Sequence, residues 1–494
     1  MGQATDWLQG RARLYPDRIA VVDGETGERW SYQELEQRAV HRAFLLRSLG
    51  IARGDRVALL SPNHICYFDL LFACGKIGAI LVPLNTRHSI PEWQGILADC
   101  RPKLLVYHPD FAEEVKQLSF IKTLNIHDCD KMLYNRDDTE SFPVIQMDDP
   151  LVILYTGGTT GKPKGAILSH RCILWNAINT VISWGLSEKD ITPTYLPLFH
   201  TGGLNALSIP VLYAGGRVVL VQKFIADKAV DLLVKEKCTI ALMVPTMYHQ
   251  LIQSPRFQEE EFPTMREFLS GGASCPEVVY QAFAQKGIPF REGYGLTEAG
   301  PNNFYINPHE GKRTPGAVGR PMVHTEVKVA NSDGEELPVG EVGELWIRGE
   351  YLFEGYWNNP EATADALVDG WLRTGDLVRR DQEGIYYIVG RKKDMIITGG
   401  ENVYPLEVEQ VIGTHPDVHE VSVFGLKDEH WGEIVTAAVV LRPGASLTEE
   451  ELKAYCRNSL GRYKVPKKIC FLEELPKTPV GKIDKKGMIE QLSG

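Results

Sequence analysis

The stretch LVILYTGGTTGKPKGAILSH occupies residues 151–170 and decides how this part of the chain folds. The runs VILY and GAILSH are apolar, which predicts two strands, so the glycine-rich loop joins a strand to a strand. The loop of nucleotide triphosphatases needs a longer spacing before its Gly-Lys, and then Ser or Thr at the start of a helix. Only three residues separate Gly157 from Gly161, and Pro163 follows Lys162. A nucleotide-triphosphatase loop is therefore excluded.

The loop between the two runs is rich in hydrogen-bond donors. Its glycines expose backbone N–H groups, its threonines add hydroxyls, and Lys162 and Lys164 add mobile positive charge. Such a loop can wrap a polyphosphate. Composition alone leaves a flexible surface hairpin as the alternative.

Bulk composition narrows the class of protein. The chain has 494 residues, too many for one compact core, and its net charge of −11 offers no broad basic surface, so we expect no nucleic-acid partner. Nine scattered cysteines without metal-ligand spacing are typical of reduced thiols. The N-terminus lacks the apolar core of a secretory signal, and the longest apolar run is short and contains Lys76. We therefore expect no integral membrane segment and a cytoplasmic location.

Helices and short apolar strands alternate along most of the chain, which predicts an α/β fold with mostly parallel sheets. SYQELEQRAVHRAFLLRSLG reads as a capped helix ended by Gly50, and RVALLSP as a buried strand. Residues 316–390 read as short strands separated by DG, EG and NP turns, which predicts a small antiparallel β unit. Residues 403–494 read as a separate small α+β domain.

The string TGGTTGKPKG resembles the phosphate-loop signature of the adenylate-forming superfamily, which includes acyl-CoA synthetases, luciferases and the adenylation domains of peptide synthetases. Gly157 is a small departure, because many members carry Ser there. Further signatures follow in the family's order and cover nearly the whole chain: LPLFHTGG (196–203), GGAS (271–274), GYGLTEAG (293–300), TGDL (374–377), GRKKDMIITGGENVYPLEVE (390–409) and PKTPVGKIDKK (476–486).

The resemblance implies an architecture and a reaction. Residues 1–391 would form a large N-terminal domain of two α/β sheet lobes plus a small β-barrel lobe, and residues 392–494 a small mobile α+β domain, with a hinge near Lys393. A carboxylic acid would react with ATP to give an acyl-adenylate and pyrophosphate, and a thiol would then attack the adenylate. The implied cofactors are ATP, Mg²⁺ and coenzyme A, and the partners are a small carboxylic acid and coenzyme A. The oligomeric state stays open between monomer and homodimer.

The resemblance also assigns the nucleotide site. Tyr294 would stack on adenine, Thr297 would contact the phosphates, and Glu298 would hold Mg²⁺. Asp376 would accept hydrogen bonds from both ribose hydroxyls, and Arg391 would reach the ribose and phosphate. The other residues that the resemblance places in this site are Thr156, Gly157, Gly158, Thr159, Thr160, Gly161, Lys164, Gly272, Ala273, Ser274 and Gly295.

Catalysis and thiol binding are assigned in the same way. Lys482 matches the lysine that bridges the substrate carboxylate and the α-phosphate, and His200 would lie near the acyl entrance. The predicted catalytic set is Lys482, Thr156, His200 and Glu298. Lys393 is expected at the hinge. Gly399, Gly400 and Trp431 are expected to lie along the pantetheine arm of coenzyme A.

Gly293 is informative about the acid. Acetate-restricted relatives carry a tryptophan at this position, so an open acyl pocket is expected. We predict a medium- or long-chain fatty acid, with an aryl acid such as o-succinylbenzoate or 4-coumarate as the alternative. The absence of a carrier-protein segment favours coenzyme A as the thiol. A luciferase-type oxygenase shares every motif and stays open, whereas a catalytically silent protein would lack Lys482, Glu298 or the glycine loop.

Overall fold

The computed structural model describes residues 5–118, 122–131, 141–157, 163–308, 316–477 and 483–492. Among these residues the strands are β1 (Ile19–Asp23), β2 (Arg29–Ser31), β3 (Arg56–Leu60), β4 (Ile80–Pro83), β5 (Leu104–Tyr107), β6 (Thr123–Asn125), β7 (Pro150–Thr156), β8 (Lys164–Ser169), β9 (Ile191–Thr194), β10 (Arg217–Leu220), β11 (Ile240–Met243), β12 (Glu267–Ser270), β13 (Phe290–Glu292), β14 (Phe304–Tyr305), β15 (Ala317–Pro321), β16 (Glu326–Ala330), β17 (Val342–Arg348), β18 (Gly355–Tyr356), β19 (Leu367–Val368), β20 (Trp371–Arg380), β21 (Tyr386–Arg391), β22 (Ile396–Thr398), β23 (Glu401–Val403), β24 (Val418–Asp428), β25 (Gly432–Leu441) and β26 (Lys468–Phe471).

The α-helices of the same residues are α1 (Trp7–Leu14), α2 (Tyr32–Ser48), α3 (Cys66–Ile77), α4 (Ile90–Cys100), α5 (Ala112–Val115), α6 (Ile126–Lys131), α7 (His170–Trp184), α8 (Thr201–Gly203), α9 (Ile209–Ala214), α10 (Ala226–Lys235), α11 (Pro245–Gln253), α12 (Pro255–Glu259), α13 (Glu277–Gln285), α14 (Pro360–Ala366), α15 (Pro405–Gly413), α16 (Glu449–Arg457) and α17 (Lys485–Leu492). Short 3₁₀ helices cover Pro109–Phe111, Thr297–Ala299, Lys392–Asp394 and Arg462–Lys464, and Leu204–Ser208 is a π-helical turn.

The first lobe is a sheet with the strand order β18-β8-β7-β4-β3-β5-β6. Strands β3 to β7 pair in parallel, and their apolar runs are buried because helices cover the sheet. Helix α2 begins at the N-cap Ser31, which forms a capping box with Glu34. The predicted helix and the strand after it are thus confirmed.

The second lobe contains the parallel strands β10-β9 and β11-β12-β13, with β1 and β2 at one edge. The N–H of Thr239 donates to the carbonyl of Ile191 at 2.9 Å and joins the two strand groups. A cluster of aromatic side chains from α11, α13 and the strands, including Tyr248, Phe268 and Phe283, fills the core beneath them. This core fixes the ends of β12 and β13, from which the GGAS and GYG motifs continue.

The remaining strands form the predicted small β lobe and the C-terminal domain. The β lobe is antiparallel with the order β14-β15-β21-β20-β17-β16, and the C-terminal sheet has the order β23-β22-β25-β24 with β26 parallel to β25. The predicted fold class is confirmed. Strand β21 ends at Arg391 and β22 begins at Ile396, with Lys392–Asp394 between them. The pairing is compatible with a boundary after residue 391, which stays a prediction.

Asn63 connects the first two lobes directly after β3. Its amide nitrogen donates to the carbonyls of Thr194, Leu196 and Val221, each at 3.0 Å. Its carbonyl oxygen accepts from the N–H of Leu198 at 2.8 Å. Because a buried amide with every partner satisfied holds its neighbours in one geometry, Asn63 sets the path of the LPLFH motif. Within the described ranges, no helix is both long enough and apolar enough to cross a membrane.

Candidate active site

The glycine-rich loop connects two neighbouring antiparallel strands. Strands β7 and β8 are antiparallel, with Thr156 opposite Lys164, and the Thr156 hydroxyl donates to the Lys164 carbonyl at 3.4 Å. The predicted connection from strand to strand is confirmed by these flanks. Gly157 lies at the start of the loop, with open space where a Cβ would stand. The predicted phosphate-binding residues Gly158, Thr159, Thr160 and Gly161 lie outside the described residues.

Lys164 and Glu298 both contact the side chain of Tyr356. The Lys164 ammonium lies 5.1 Å from the centroid of the Tyr356 ring, and the Tyr356 hydroxyl donates to Glu298 Oε1 at 2.8 Å. Burial and the neighbouring Glu298 charge raise the pKa of Tyr356 above its usual range, so the hydroxyl keeps its proton. Sequence reasoning missed Tyr356, since its contact with the phosphate-loop strand depends on the long-range pairing of β18 with β8.

Tyr294, Asp376 and Arg391 form a second chain of contacts. The Tyr294 hydroxyl donates to Asp376 Oδ2 at 2.5 Å, and Arg391 Nε lies 2.6 Å from Asp376 Oδ1. Asp376 is buried, and its residue stands opposite Arg391 in the pairing of β20 with β21. Burial and the Asp376 charge raise the pKa of Tyr294 well above its usual range, which keeps its hydroxyl a donor. These predicted site residues are brought together.

Gly375 and Lys392 share a further carboxylate that the sequence did not suggest. Glu344, buried on β17, accepts from the N–H of Gly375 at 3.1 Å and lies 3.0 Å from Lys392 Nζ. Glu344 thereby holds the turn before Asp376 beside the segment that contains Lys393. Lys393 itself is exposed in the 3₁₀ turn.

The GGAS loop lies beside the strand that leads to Tyr294. Gly272 adopts a φ of +83°, which favours glycine, while Ala273 is exposed and Ser274 half-buried. The buried carboxylate of Glu292 accepts from the N–H groups of Cys275 and, at 3.1 Å, Gly316. Glu292 therefore ties the loop to β13 and to the start of the β lobe.

The YGLTE segment turns sharply after Tyr294. A Cβ on Gly295 would lie only 2.1 Å from the carbonyl oxygen of Pro301, so this close approach requires glycine. Thr297 is buried at the start of the 3₁₀ turn that presents Glu298. The N–H of Phe353 donates to the Glu298 carbonyl at 2.9 Å and fixes the turn.

His200 lies apart in sequence, at the end of the LPLFH motif. Its ring is exposed, and its Nδ1 accepts from the N–H of Gly202 at 3.1 Å at the start of α8. The π-helical turn Leu204–Ser208 follows, and such turns are frequent at functional sites. The observed contact caps a helix, and the predicted catalytic role stays a prediction.

In the C-terminal domain, Gly399 and Trp431 are in contact. The N–H of Gly399 donates to the Trp431 carbonyl at 2.9 Å, and a Cβ on Gly399 would lie 2.9 Å from the indole ring. Gly399 and Gly400 both have positive φ values, of +59° and +84°. The exposed Trp431 ring also carries Lys467 Nζ 3.2 Å from its centroid. Gly399 leaves room for the indole, and the predicted contact of these residues with the pantetheine arm stays a prediction.

The predicted catalytic Lys482 lies outside the described residues. Its flanks form the base of a hairpin, since Lys477 is bridged to Ile483 and the N–H of Asp484 donates to the Pro476 carbonyl at 2.8 Å. Lys477 also pairs with Glu420 at 2.9 Å. The ring of His419, next to Glu420, lies 5.1 Å from that of His249 on α11, so this side of the C-terminal domain faces the second lobe.

The residues present fit a nucleotide-bound Mg²⁺. No group of three His, Cys, Asp or Glu side chains suited to a metal occurs in the described part of the chain. Magnesium bound with a nucleotide does not need such a group, because one or two carboxylates plus phosphate oxygens and waters complete its shell. Glu298 supplies one carboxylate, and no ion pair between described residues involves it.

Known proteins resemble this chain over nearly its whole length. The AMP-binding enzyme family model matches residues 8–357, and the AMP-binding enzyme C-terminal domain model matches residues 407–482. The chain is 38% identical over 477 residues to a feruloyl-CoA synthase of Amycolatopsis sp, covering 97% of this chain and 96% of that protein. It is 37% identical over 494 residues to the long-chain-fatty-acid–CoA ligase FadD13 of Mycobacterium tuberculosis, covering 98% of both. The crystal structure of ATP-bound MatB from Rhodopseudomonas palustris superposes with a TM-score of 0.91 at 33% identity, covering 99% of both chains.

Glu292 makes stability depend on pH. Burial raises the pKa of Glu292 from 4.5 to about 7, against the effect of its backbone hydrogen bonds. A raised pKa confers stability that is complete below the unfolded value and lost as the pH rises through the folded value. We expect wild type to lose about 2 to 3 kcal/mol of unfolding free energy relative to Glu292→Gln between about pH 5 and pH 8. Urea unfolding of both proteins across this range measures the difference, and a constant difference would contradict the prediction.

Proposed function

Because the chain belongs to the AMP-binding enzyme family and is an AMP-forming acid–thiol ligase, we propose that it activates a medium- or long-chain fatty acid and transfers it to coenzyme A. In the first step a carboxylate oxygen attacks the α-phosphorus of ATP, the bond to the pyrophosphate oxygen breaks, and pyrophosphate leaves. In the second step the thiol sulfur of coenzyme A attacks the acyl carbon and AMP leaves. The observation that carries the proposal is the convergence of Tyr294 and Arg391 on the carboxylate of Asp376. Tyr294 belongs to the same YGLTE segment as Glu298.

The first step is an electrostatic problem. An anionic acid must approach an α-phosphate that is already negative, so the site needs cations and directed N–H dipoles around the reacting atoms. We assign this role to Thr156, Lys164 and the backbone N–H groups of residues 157–161. Glu298 would hold Mg²⁺, which supplies charge neutralisation to the phosphates when bound.

The nucleoside half of ATP would lie against the second lobe. Tyr294 offers a ring face for adenine, and the loop of Gly272, Ala273 and Ser274 offers the opposite wall without bulky side chains. Asp376 offers two acceptor oxygens for the ribose hydroxyls, and Arg391, half exposed beside it, offers donors toward the phosphate. Gly295 contributes by allowing the turn that separates Tyr294 from Thr297.

The second step requires the C-terminal domain to move. Lys482 would bridge the acid and the α-phosphate in the first step and then withdraw, so that the thiol can enter beside Gly399, Gly400 and Trp431. Lys393 lies in a short exposed turn between two sheets, which is where a few backbone angles can change without breaking strand pairs. His200 would lie at the entrance for the acid.

The space beside Gly293 supports a large acid. Among the described residues, the nearest neighbour of a Cβ at this position would be the carbonyl oxygen of Ser270, at 3.9 Å, so the backbone leaves room for a side chain to begin there. An aryl acid is the second candidate, favoured by the 38% identity to a feruloyl-CoA synthase. The 37% identity to a long-chain-fatty-acid ligase supports the first candidate about equally.

A panel of acids distinguishes the two candidates and tests the pocket. We expect coenzyme A-dependent AMP formation to be fastest with octanoate or palmitate and slower with benzoate, cinnamate, ferulate and acetate. Gly293→Trp should shift the preference toward acetate, because the indole would fill the open volume. A pocket filled in this way costs the longer acid about 1 to 3 kcal/mol for each excluded methylene.

Gly293→Ala is the matched control, because a methyl group meets nothing closer than 3.9 Å and should leave the ranking unchanged. A ranking led by ferulate or cinnamate would replace the fatty acid with the aryl candidate. An unchanged ranking in Gly293→Trp would remove this residue from the pocket wall.

Lys482→Ala should separate the two steps. Without the ammonium group, acid-dependent exchange of pyrophosphate into ATP should fall about a hundredfold or more, because the two anions lose their shared cation. Thioester formation from supplied acyl-adenylate should change little, since the lysine has withdrawn by then. Exchange of labelled pyrophosphate and single-turnover thioester assays measure the two steps.

Lys486→Ala is the matched control, since this lysine is exposed and its ion pair with Glu490, one helical turn away, is long at 3.9 Å. It should retain both steps. Equal loss of both steps in Lys482→Ala would contradict a lysine that serves the first step alone.

A further inference from the structure

We propose that Tyr356 is a positioning residue that orients the Glu298 carboxylate for the metal with its hydroxyl and contacts the Lys164 ammonium with its ring. The inference rests on the proposed function, since it presumes that Glu298 holds Mg²⁺ beside the ATP phosphates. It adds a residue from the segment LFEGYW, outside all the motifs that indicated the nucleotide site.

Strand pairing and backbone hydrogen bonds hold Tyr356 in place. Tyr356 stands opposite Ala166, and Gly355 opposite Ile167, in the pairing of β18 with β8. The N–H of Tyr356 donates to Thr363 Oγ1 at 2.9 Å. The N–H of the next residue, Trp357, donates to the Gly165 carbonyl at 2.7 Å. The tyrosine is therefore fixed to β8 through the strand pairing and the Trp357 bond, and to α14 through Thr363.

The segment LFEGYW also fixes Glu298 at two points. The N–H of Phe353 donates to the Glu298 carbonyl at 2.9 Å, and the Tyr356 hydroxyl donates to its carboxylate at 2.8 Å. One oxygen of the carboxylate is thus oriented by a neutral donor that does not cancel its charge. Metal-binding carboxylates are commonly held in this way by hydrogen-bonding partners.

Lys164 contacts the ring of the same tyrosine. Its ammonium lies over the Tyr356 ring, 5.1 Å from the centroid, while the hydroxyl of that ring points to Glu298. No ion pair between described residues joins Lys164 to Glu298, although both groups contact the same tyrosine. The ring face holds the cation and the neutral hydroxyl holds the carboxylate, so the cation stays available for phosphate and the carboxylate for a metal.

Tyr356→Phe isolates the hydroxyl, because the ring and its contact with Lys164 remain. Calorimetric titration of the full chain with ATP, without any acid, measures binding with Mg²⁺ and with EDTA. We expect the strengthening of ATP binding by Mg²⁺ to fall about tenfold in Tyr356→Phe, and binding in EDTA to stay within about twofold of wild type. Electron paramagnetic resonance of Mn²⁺ bound to the enzyme–ATP complex provides a second readout.

Tyr351→Phe is the matched control. Tyr351 lies in the same segment and is more deeply buried, but its hydroxyl bonds to Thr325 Oγ1 at 2.8 Å. Its loss should lower the melting temperature without changing the effect of Mg²⁺ on ATP binding. A structural role for Tyr356 would move the melting temperature and both ATP affinities together, and that result overturns the inference.

Glu298→Gln separates failure of the inference from failure of the proposed function. If Glu298→Gln reduces the effect of Mg²⁺ without removing it, and Tyr356→Phe reduces it no further in that background, the tyrosine acts through Glu298. If Glu298→Gln reduces the effect but Tyr356→Phe alone leaves it intact, or the two losses add, only the inference is overturned. If Glu298→Gln keeps the full effect, the metal role of Glu298 is overturned and the inference with it.

Discussion

The buried carboxylate of Asp376 connects strands from two different parts of the molecule. One oxygen accepts from Tyr294, which continues from β13 of the second lobe, and the other pairs with Arg391 at the end of β21. A carboxylate that is only 4% exposed is costly to bury without such partners, so the two contacts are needed for the geometry to persist. The Tyr294 ring, the Asp376 carboxylate and the segment that follows Arg391 are therefore positioned by the same few atoms.

Tyr356 and Glu344 each hold charged groups of the candidate site. Tyr356 contacts the Lys164 ammonium with its ring and the Glu298 carboxylate with its hydroxyl, and Glu344 pairs with Lys392. Glycine serves a complementary purpose at Gly295, where only a missing Cβ allows the chain to pass the Pro301 carbonyl. Charges and backbone are thus arranged before a ligand arrives, which lowers the reorganisation that the reaction requires.

The sequence predicted those features that depend on local patterns. Apolar runs and capping residues identified α2, β3 and the hairpin β7–β8, and the motif order led to Tyr294, Asp376 and Arg391, which do meet. It could not predict Tyr356, Glu344 or Glu292, because each acts through strand pairs or backbone groups far away in sequence. The catalytic role that the motif suggested for His200 stays a prediction, and one contact of its ring is a helix cap. The nature of the acid depends on the volume of a pocket, which no local pattern encodes.

The central claim is that an adenine nucleotide binds between Tyr294 and the GGAS loop with its ribose on Asp376. A crystal structure of the full chain with a non-hydrolysable ATP analogue and Mg²⁺ tests it most directly. The account predicts the purine against the Tyr294 ring, both ribose hydroxyls on the Asp376 carboxylate, and the phosphates beside Lys164 and Glu298. A purine bound at any other place, with no ribose hydroxyl on the Asp376 carboxylate, would contradict it.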